Sequence, residues 1–175
     1  MGQNDVKPLE GLTRHARARG PAPVHLWNPP YCGEIDIRIA RDGTWFHEGS
    51  PIGREAMVRL FASVLKREEG RHFLVTPVEK LGIVVDDVPF VAVDFRIDGG
   101  NVVFMTNTGD EVAAGPDHPI RMADAPYVMV RGGMEARVDR KSFYRLVDIA
   151  EDRGGWFGIA SGGEFFPLIR SEALG

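Results

Sequence analysis

Only one cysteine, Cys32, occurs in the 175 residues, so no intramolecular disulfide can form and a reducing cytoplasm is the expected compartment. No apolar run approaches the ~18 residues that a membrane-spanning helix needs, and no signal peptide opens the chain. The start MGQNDV lacks the Ser or Thr of a myristoylation site, with Val6 in its place. Positive charge is in short supply. The 21 Lys and Arg face 25 Asp and Glu, a net charge of −4, which argues against general nucleic-acid binding. The five histidines (His15, His25, His47, His72, His118) have no metal-ligand spacing with one another or with Cys32, and HExxH, CxxC and EF-hand patterns are missing, so no metal is expected. No phosphate-binding or dinucleotide fingerprint occurs, so no cofactor is expected either. GIASGG approaches a serine-hydrolase elbow, but Ile159 stands two residues before Ser161 where glycine is required. No catalytic residue is assigned.

What is present is a soluble composition, 43% hydrophobic and 26% charged, in a chain long enough for one core or two small ones. Residues 1–30, with TRHARARG (Arg14, His15, Arg17, Arg19) and the proline-rich GPAPVHLWNPP, read as an extended arm that Trp27 pins to the body. From residue 31 the periodicity is regular. Ile35, Ile37 and Ile39 alternate with Asp36, Arg38 and Ala40 as in a half-buried strand, and Asp42–Gly43 signals a hairpin to TWFHE. SPIGREAMVRLFASVLKREEG reads as a helix with Ser50 as N-cap, Pro51 at its first position and Gly70 near its end. Its apolar stripe is Met57, Leu60, Phe61 and Val64. Downstream, PYVMVRGGMEARVD is a second hairpin turning at Gly132–Gly133. DRKSFYRLVDIAEDRGG is a second helix, with Asp139 as N-cap and a stop at Gly154. Its stripe, Phe143, Leu146, Val147 and Ala150, lies a constant 86 residues from the first, as do three arginines. The expected architecture is therefore α+β, two similar halves from a duplicated hairpin–helix–strand unit. The first repeat spans 31–97 and the second 98–175.

The densest apolar run, FLVTPVEKLGIVVDDVPFVAVDF, carries four charges. Asp86–Asp87 falls between two β-branched runs with Pro89 beyond, which marks a turn. Glu79 and Lys80 fall in what reads as one strand from Phe73 to Val85 with two apolar faces, so one charge points inward and needs an ion-pair partner or a ligand. Cys32, in NPPYCGE, is a nucleophile only if a base such as His47 or His118 reaches it, and otherwise a small apolar residue. GDEVAAGPDHPIRM, with Asp110, Glu111, Asp117 and His118, reads as a solvated connection without calcium-loop spacing.

The phrases RIARDGTWFHEGSPIGREAMVRLFASVLKREE, FLVTPVEKLGIVVDDVPF, TNTGDEV, DHPIRM and PYVMVRGGMEA resemble the bacterial family called domain of unknown function 1285, over nearly all of residues 30–170. The resemblance implies two similar α+β halves, the second like a pleckstrin-homology barrel, a ligand site at their junction and a role in signal transduction. It carries over no functional residue. The functional expectation is a regulatory protein that binds a small anionic or nucleotide-like ligand between its halves. Lys80 and Arg131 would supply positive charge, with Glu79, Trp45 and Tyr127 as a polar and aromatic wall. The alternatives are a protein-interaction adaptor and, against the balance of the signals, a hydrolase or transferase using Cys32.

Overall fold

The computed structural model describes residues 20–174. The arginines and histidine at positions 14–19 lie outside them. The chain divides into two compact units between Asp87 and Val88. That division precedes the expected 97/98 boundary because the strand Phe90–Asp98 hydrogen-bonds into the second unit's sheet.

Unit 1 contains β1 (Tyr31–Ile39), β2 (Trp45–His47), β3 (Ser50–Pro51), helix α1 (Glu55–Ala62), β4 (Leu65–Glu68), β5 (Arg71–Val75) and β6 (Lys80–Val85). Its six strands form one sheet in the order β3-β2-β1-β6-β5-β4, antiparallel throughout except for the central parallel pair β1–β6. Unit 2 contains β7 (Phe90–Asp98), β8 (Asn101–Thr106), β9 (Glu111–Ala113), β10 (Ile120–Met122), β11 (Pro126–Arg131) and β12 (Met134–Val138). Helix α2 (Arg140–Ile149) and a meander of β13 (Glu151–Arg153), β14 (Trp156–Ser161) and β15 (Glu164–Arg170) follow.

The order β9-β8-β7-β12-β11-β10 repeats that of unit 1 strand for strand, again with one parallel pair at the centre, β7–β12. In each unit the residue after the last central strand closes that pair with the same bond, Asp86 N–H to Ile39 C=O and Asp139 N–H to Ala92 C=O, both 3.0 Å. The halves are thus similar, each mostly strands in a curled sheet with a single α-helix among the described residues. The repeating element is the six-stranded sheet rather than the hairpin–helix–strand unit. Helix α1 lies between the third and fourth strands of its sheet, whereas α2 follows the sixth.

Three expectations are corrected by turn chemistry. The helix expected over residues 50–70 is only eight residues long, flanked by β3 and β4. Tight turns at Glu48–Gly49 and Glu69–Gly70 hold both residues at positive φ, 51° and 80° in the first and 50° and 79° in the second. This is the two-residue hairpin geometry that Asn-Gly usually marks, and glutamate hides it. Likewise α2 stops at Ile149, and Gly154–Gly155 is the turn of a β13–β14 hairpin rather than a helix stop. The Asp139 cap does form, its carboxylate accepting from Ser142 N–H at 2.9 Å. The Asp42–Gly43 hairpin has a three-residue loop, closed by Ala40 N–H to Thr44 C=O, with only Gly43 at positive φ.

The run from Phe73 to Val85 is also not one strand. Thr76–Pro77–Val78–Glu79 forms a loop, closed by Thr76 N–H to Glu79 C=O at 2.8 Å, and β5 and β6 pair antiparallel on either side. Pro77 cannot donate to a ladder, so the strand must break there. The connection 110–122 contains β9 and β10 instead of running free. Near the start of the described chain, Ala22 is buried and its N–H donates to Ser63 C=O. Trp27 accepts from Lys66 Nζ at 2.7 Å through its backbone carbonyl.

Unit 1's sheet has two unlike faces. Leu65, Leu74, Leu81, Ile83, Ile37, Ile39 and Trp45 line one and are buried, with Phe61 of α1 stacked on Trp45 at 6.3 Å. Each large apolar side chain buried this way is worth about 1.5–3 kcal/mol. Alternation sends Lys66, Phe73, Lys80, Gly82, Val84, Glu34 and Arg38 to the opposite face.

Candidate functional site

The five candidate residues are divided between the units, with Trp45, Glu79 and Lys80 in unit 1 and Arg131 and Tyr127 in unit 2. Trp45 is 1% exposed on the core face of unit 1, its indole Nε1–H buried without a hydrogen-bond partner among the described residues, while Lys80 stands on the opposite face of the same sheet. Glu79 belongs to the loop before β6. In unit 2, Arg131 donates from Nε to Asp110 at 3.1 Å and covers the Phe90 ring at 5.0 Å. Asp110 also accepts from Thr108 at 2.9 Å, so this half-buried network ties the β8–β9 turn to β11. Tyr127 is buried between the guanidinium groups of Arg121 (4.3 Å) and Arg137 (5.8 Å), and its hydroxyl donates to Asp124 at 3.2 Å. Arg131 is thus bonded to the β8–β9 turn and Tyr127 to Asp124 and Arg137.

The other sequence candidates have structural partners. Cys32 is exposed and its thiol donates to Pro30 C=O at 3.3 Å, with no histidine hydrogen-bonded to it among the described residues. The buried Ser161 hydroxyl accepts from Val102 N–H at 2.9 Å and donates to Ala114 C=O at 2.7 Å, so it fastens β14 to β8 rather than acting as a nucleophile. His118 meets Met129 C=O through Nδ1 at 2.9 Å. Asp86 accepts a forked pair of bonds from Arg38, 2.9 Å from Nε and 2.5 Å from Nη2. This arginine holds the Asp86 carboxyl below the usual carboxylate range. No group of three or more His, Cys, Asp or Glu among the described residues could hold a metal ion.

Lys80 leads to a larger constellation that sequence reasoning missed. Its ammonium pairs with Glu68 at 2.9 Å and lies over the Phe73 ring at 4.9 Å. Glu68 also accepts from Lys66 at 3.0 Å. The hydrogen bond from Lys80, and then that from Lys66, hold the Glu68 carboxyl below its ordinary range. Neither charge points into the core, since Glu79 is in a loop and Lys80 is on the opposite sheet face, where it finds a structural ion pair. Its partner was hidden because KREE reads as helix, whereas in β4 it faces β5 and β6.

Beside this pair β1 carries a bulge. Tyr31 pairs with Lys80 and Glu34 with Gly82, three residues on β1 against two on β6, with Gly33 at φ 104°. The extra residue brings Tyr31 and Glu34 to one face, where regular alternation would separate them. The Tyr31 hydroxyl donates to Glu34 Oε2 and the Arg71 guanidinium to Oε1, the latter at 2.8 Å. Donation to Glu34 raises the Tyr31 phenol above its ordinary pKa. Arg71 also sits over the Tyr31 ring at 5.8 Å and the Phe73 ring at 5.1 Å. The Glu34 carboxylate rests on Gly82, where an added Cβ would lie 1.9 Å from Oε2. Arg71, Lys80 and Lys66 thus face Glu34 and Glu68 around Phe73, a cationic surplus on a face where Tyr31 is 51% and Val84 55% exposed. Gly33 was the one sequence signal for the bulge.

Two outcomes follow from these charges. Glu68→Gln leaves Lys66 and Lys80 facing each other and should cost about 2 kcal/mol, whereas Lys80→Ala, which leaves Glu68 with Lys66, should cost about 1 kcal/mol. Urea unfolding measures both, and the reverse ranking would contradict the shared-carboxylate geometry. His72 is half-buried opposite Arg67, and burial, then Arg67, push its pKa down to about 4 from 6.5. The unfolded chain takes up this proton first, so stability is lost as pH falls from 6.5 towards 4, by on the order of 2 kcal/mol after allowing for solvent screening at this half-buried site. In His72→Gln the stability profile across that window should flatten, and an unchanged slope would remove His72 from it.

The signature "Domain of unknown function (DUF1285), N-terminal domain" matches residues 22–88, and "Protein of unknown function (DUF1285), C-terminal domain" matches residues 89–168. No curated protein matches. A DUF1285 family protein from Silicibacter pomeroyi DSS-3 has a similar crystal structure, with TM-score 0.89 and 58% identity over 95% of this chain and 97% of that one. One from Shewanella baltica OS155 aligns with TM-score 0.57 and 25% identity over 64% of this chain and 90% of that one. No helix among the described residues is long and apolar enough to cross a membrane. With both signatures matched from residue 22 to residue 168, the chain belongs to the DUF1285 family.

Proposed function

We propose that the protein is a binding module for a small anionic ligand, received on the charged sheet face of unit 1, with a regulatory role in bacterial signalling. The observation that carries this reading is Arg71, a 55% exposed guanidinium held in place over the Tyr31 and Phe73 rings. An arginine fixed by two rings loses little freedom when it takes a planar anion, and offers it paired donors. Lys80 lies over the same Phe73 ring, and Lys80 and Lys66 share the single carboxylate of Glu68, which leaves one positive charge in excess there. The ligand site proposed is on the first unit itself, whereas the sequence alone suggests the junction of the halves. The finer fold reading, α+β with a pleckstrin-homology-like second half, belongs to the same proposal. Its support is the single helix α2 and the β13–β15 meander that follow a curled sheet.

A second reading, a protein-interaction adaptor, draws on the exposed Tyr31 and Val84 of this face and on Leu26 and Val78, both 70% exposed. A thermal-shift screen of nucleotides, phosphorylated metabolites and small carboxylates on the whole chain separates the two. A ligand at a hundred times its Kd adds about 2.7 kcal/mol of stability. The expected result is a saturable anionic hit that Arg71→Met abolishes. A hit indifferent to Arg71→Met, or none at all, favours the adaptor.

A further inference from the structure

Glu34 holds a position that a ligand could use. Tyr31 donates to one of its oxygens and Arg71 to the other, so one planar group receives two donors. Its Oε2, Cδ and Oε1 lie 1.9, 2.5 and 2.6 Å from the point where a Cβ on residue 82 would stand, so the flat carboxylate is laid against the backbone of Gly82. Glycine inside a strand commonly marks such a close approach. The Glu34 side chain is 51% exposed and can swing into water with little desolvation cost.

We infer that this cradle is the anchoring subsite for the carboxylate of an incoming ligand, and that Glu34 is its built-in competitor. The inference rests on the anion-binding reading above and narrows it. A planar carboxylate reproduces the Glu34 contacts, whereas a tetrahedral phosphate has no flat face to lay on Gly82. Because Glu34 is tethered beside the site, it competes at a high effective concentration. Acetate, with no further contacts, cannot displace it. A carboxylate with an apolar body can, since the exposed Tyr31 ring and Val84 border the cradle on this face. The ligand class is therefore a small carboxylic acid with a flat apolar or aromatic body.

The test is benzoate titration of the whole chain, followed by thermal shift and NMR, with acetate and inorganic phosphate as comparisons. In Glu34→Ala the cradle is open, and benzoate should bind at least tenfold tighter than to the wild type, with phosphate gaining nothing. Adding Arg71→Met or Gly82→Ala to Glu34→Ala should remove the gain. Equal benzoate binding to wild type and Glu34→Ala, or a gain that survives Arg71→Met, overturns the inference. If another anion then binds both proteins equally and through Arg71, the anion-binding reading stands without the competitor. If neither protein shows Arg71-dependent binding, both fall.

Discussion

The parallel pairing of β1 with β6 is the constraint on which unit 1 depends. The first three strands and the last three form two antiparallel meanders, and only this pair joins them into one sheet. A parallel pair cannot be closed by a tight turn and needs a crossover. Here the crossover runs through α1, whose Phe61 then covers Trp45 and the apolar face. Unit 2 solves the same problem at β7–β12 with the segment between β9 and β10, and its helix is free to follow β12 instead. Both seams end on an aspartate whose N–H bonds across the pair.

The candidate site is a by-product of that seam. Parallel strands from different meanders need not keep register, and β1 shifts against β6 twice, at the bulge between Tyr31 and Glu34 and again between Glu34 and Arg38. The first of these is the bulge at Cys32–Gly33. It also turns Tyr31 and Glu34 to the same side, next to the one glycine of β6. Arg71 reaches them from β5 because β5 and β6 pair without interruption from His72–Ile83 to Val75–Lys80. Helix and charged face thus lie on opposite sides of one sheet, so the apolar core supports the cradle from behind without entering it.

Features coded by near neighbours were readable from the sequence. The alternation at Ile37 and Ile39, the Asp139 cap and the Gly132–Gly133 turn form as expected, and the chain bends at Asp86–Asp87 after β6. Errors arose where two codes overlap. KREEG is as good a helix end as a hairpin, and the left-handed glutamate that settles it carries no sequence mark. The repeat at a spacing of 86 is present locally, with each helix set between hairpins, but strand order across a sheet depends on pairings between distant residues. The sequence marks one of Glu79 and Lys80 as a charge in need of a partner without saying which, and Glu68 cannot be named as that partner until β4 is known to be a strand. The Tyr31–Glu34–Arg71 cluster was invisible for the same reason, since the bulge exists only relative to β6.

The cradle stands or falls with the Tyr31 hydroxyl donating to Glu34, and an NMR titration of the Tyr31 ring carbon bearing that hydroxyl reads this bond directly. A phenol engaged by a carboxylate must titrate above its ordinary value of 10.0, and Glu34→Gln must bring it back down. Titration of Tyr31 at the ordinary value in the wild-type chain would mean that Glu34 does not rest there in solution, and the cradle would be lost with it.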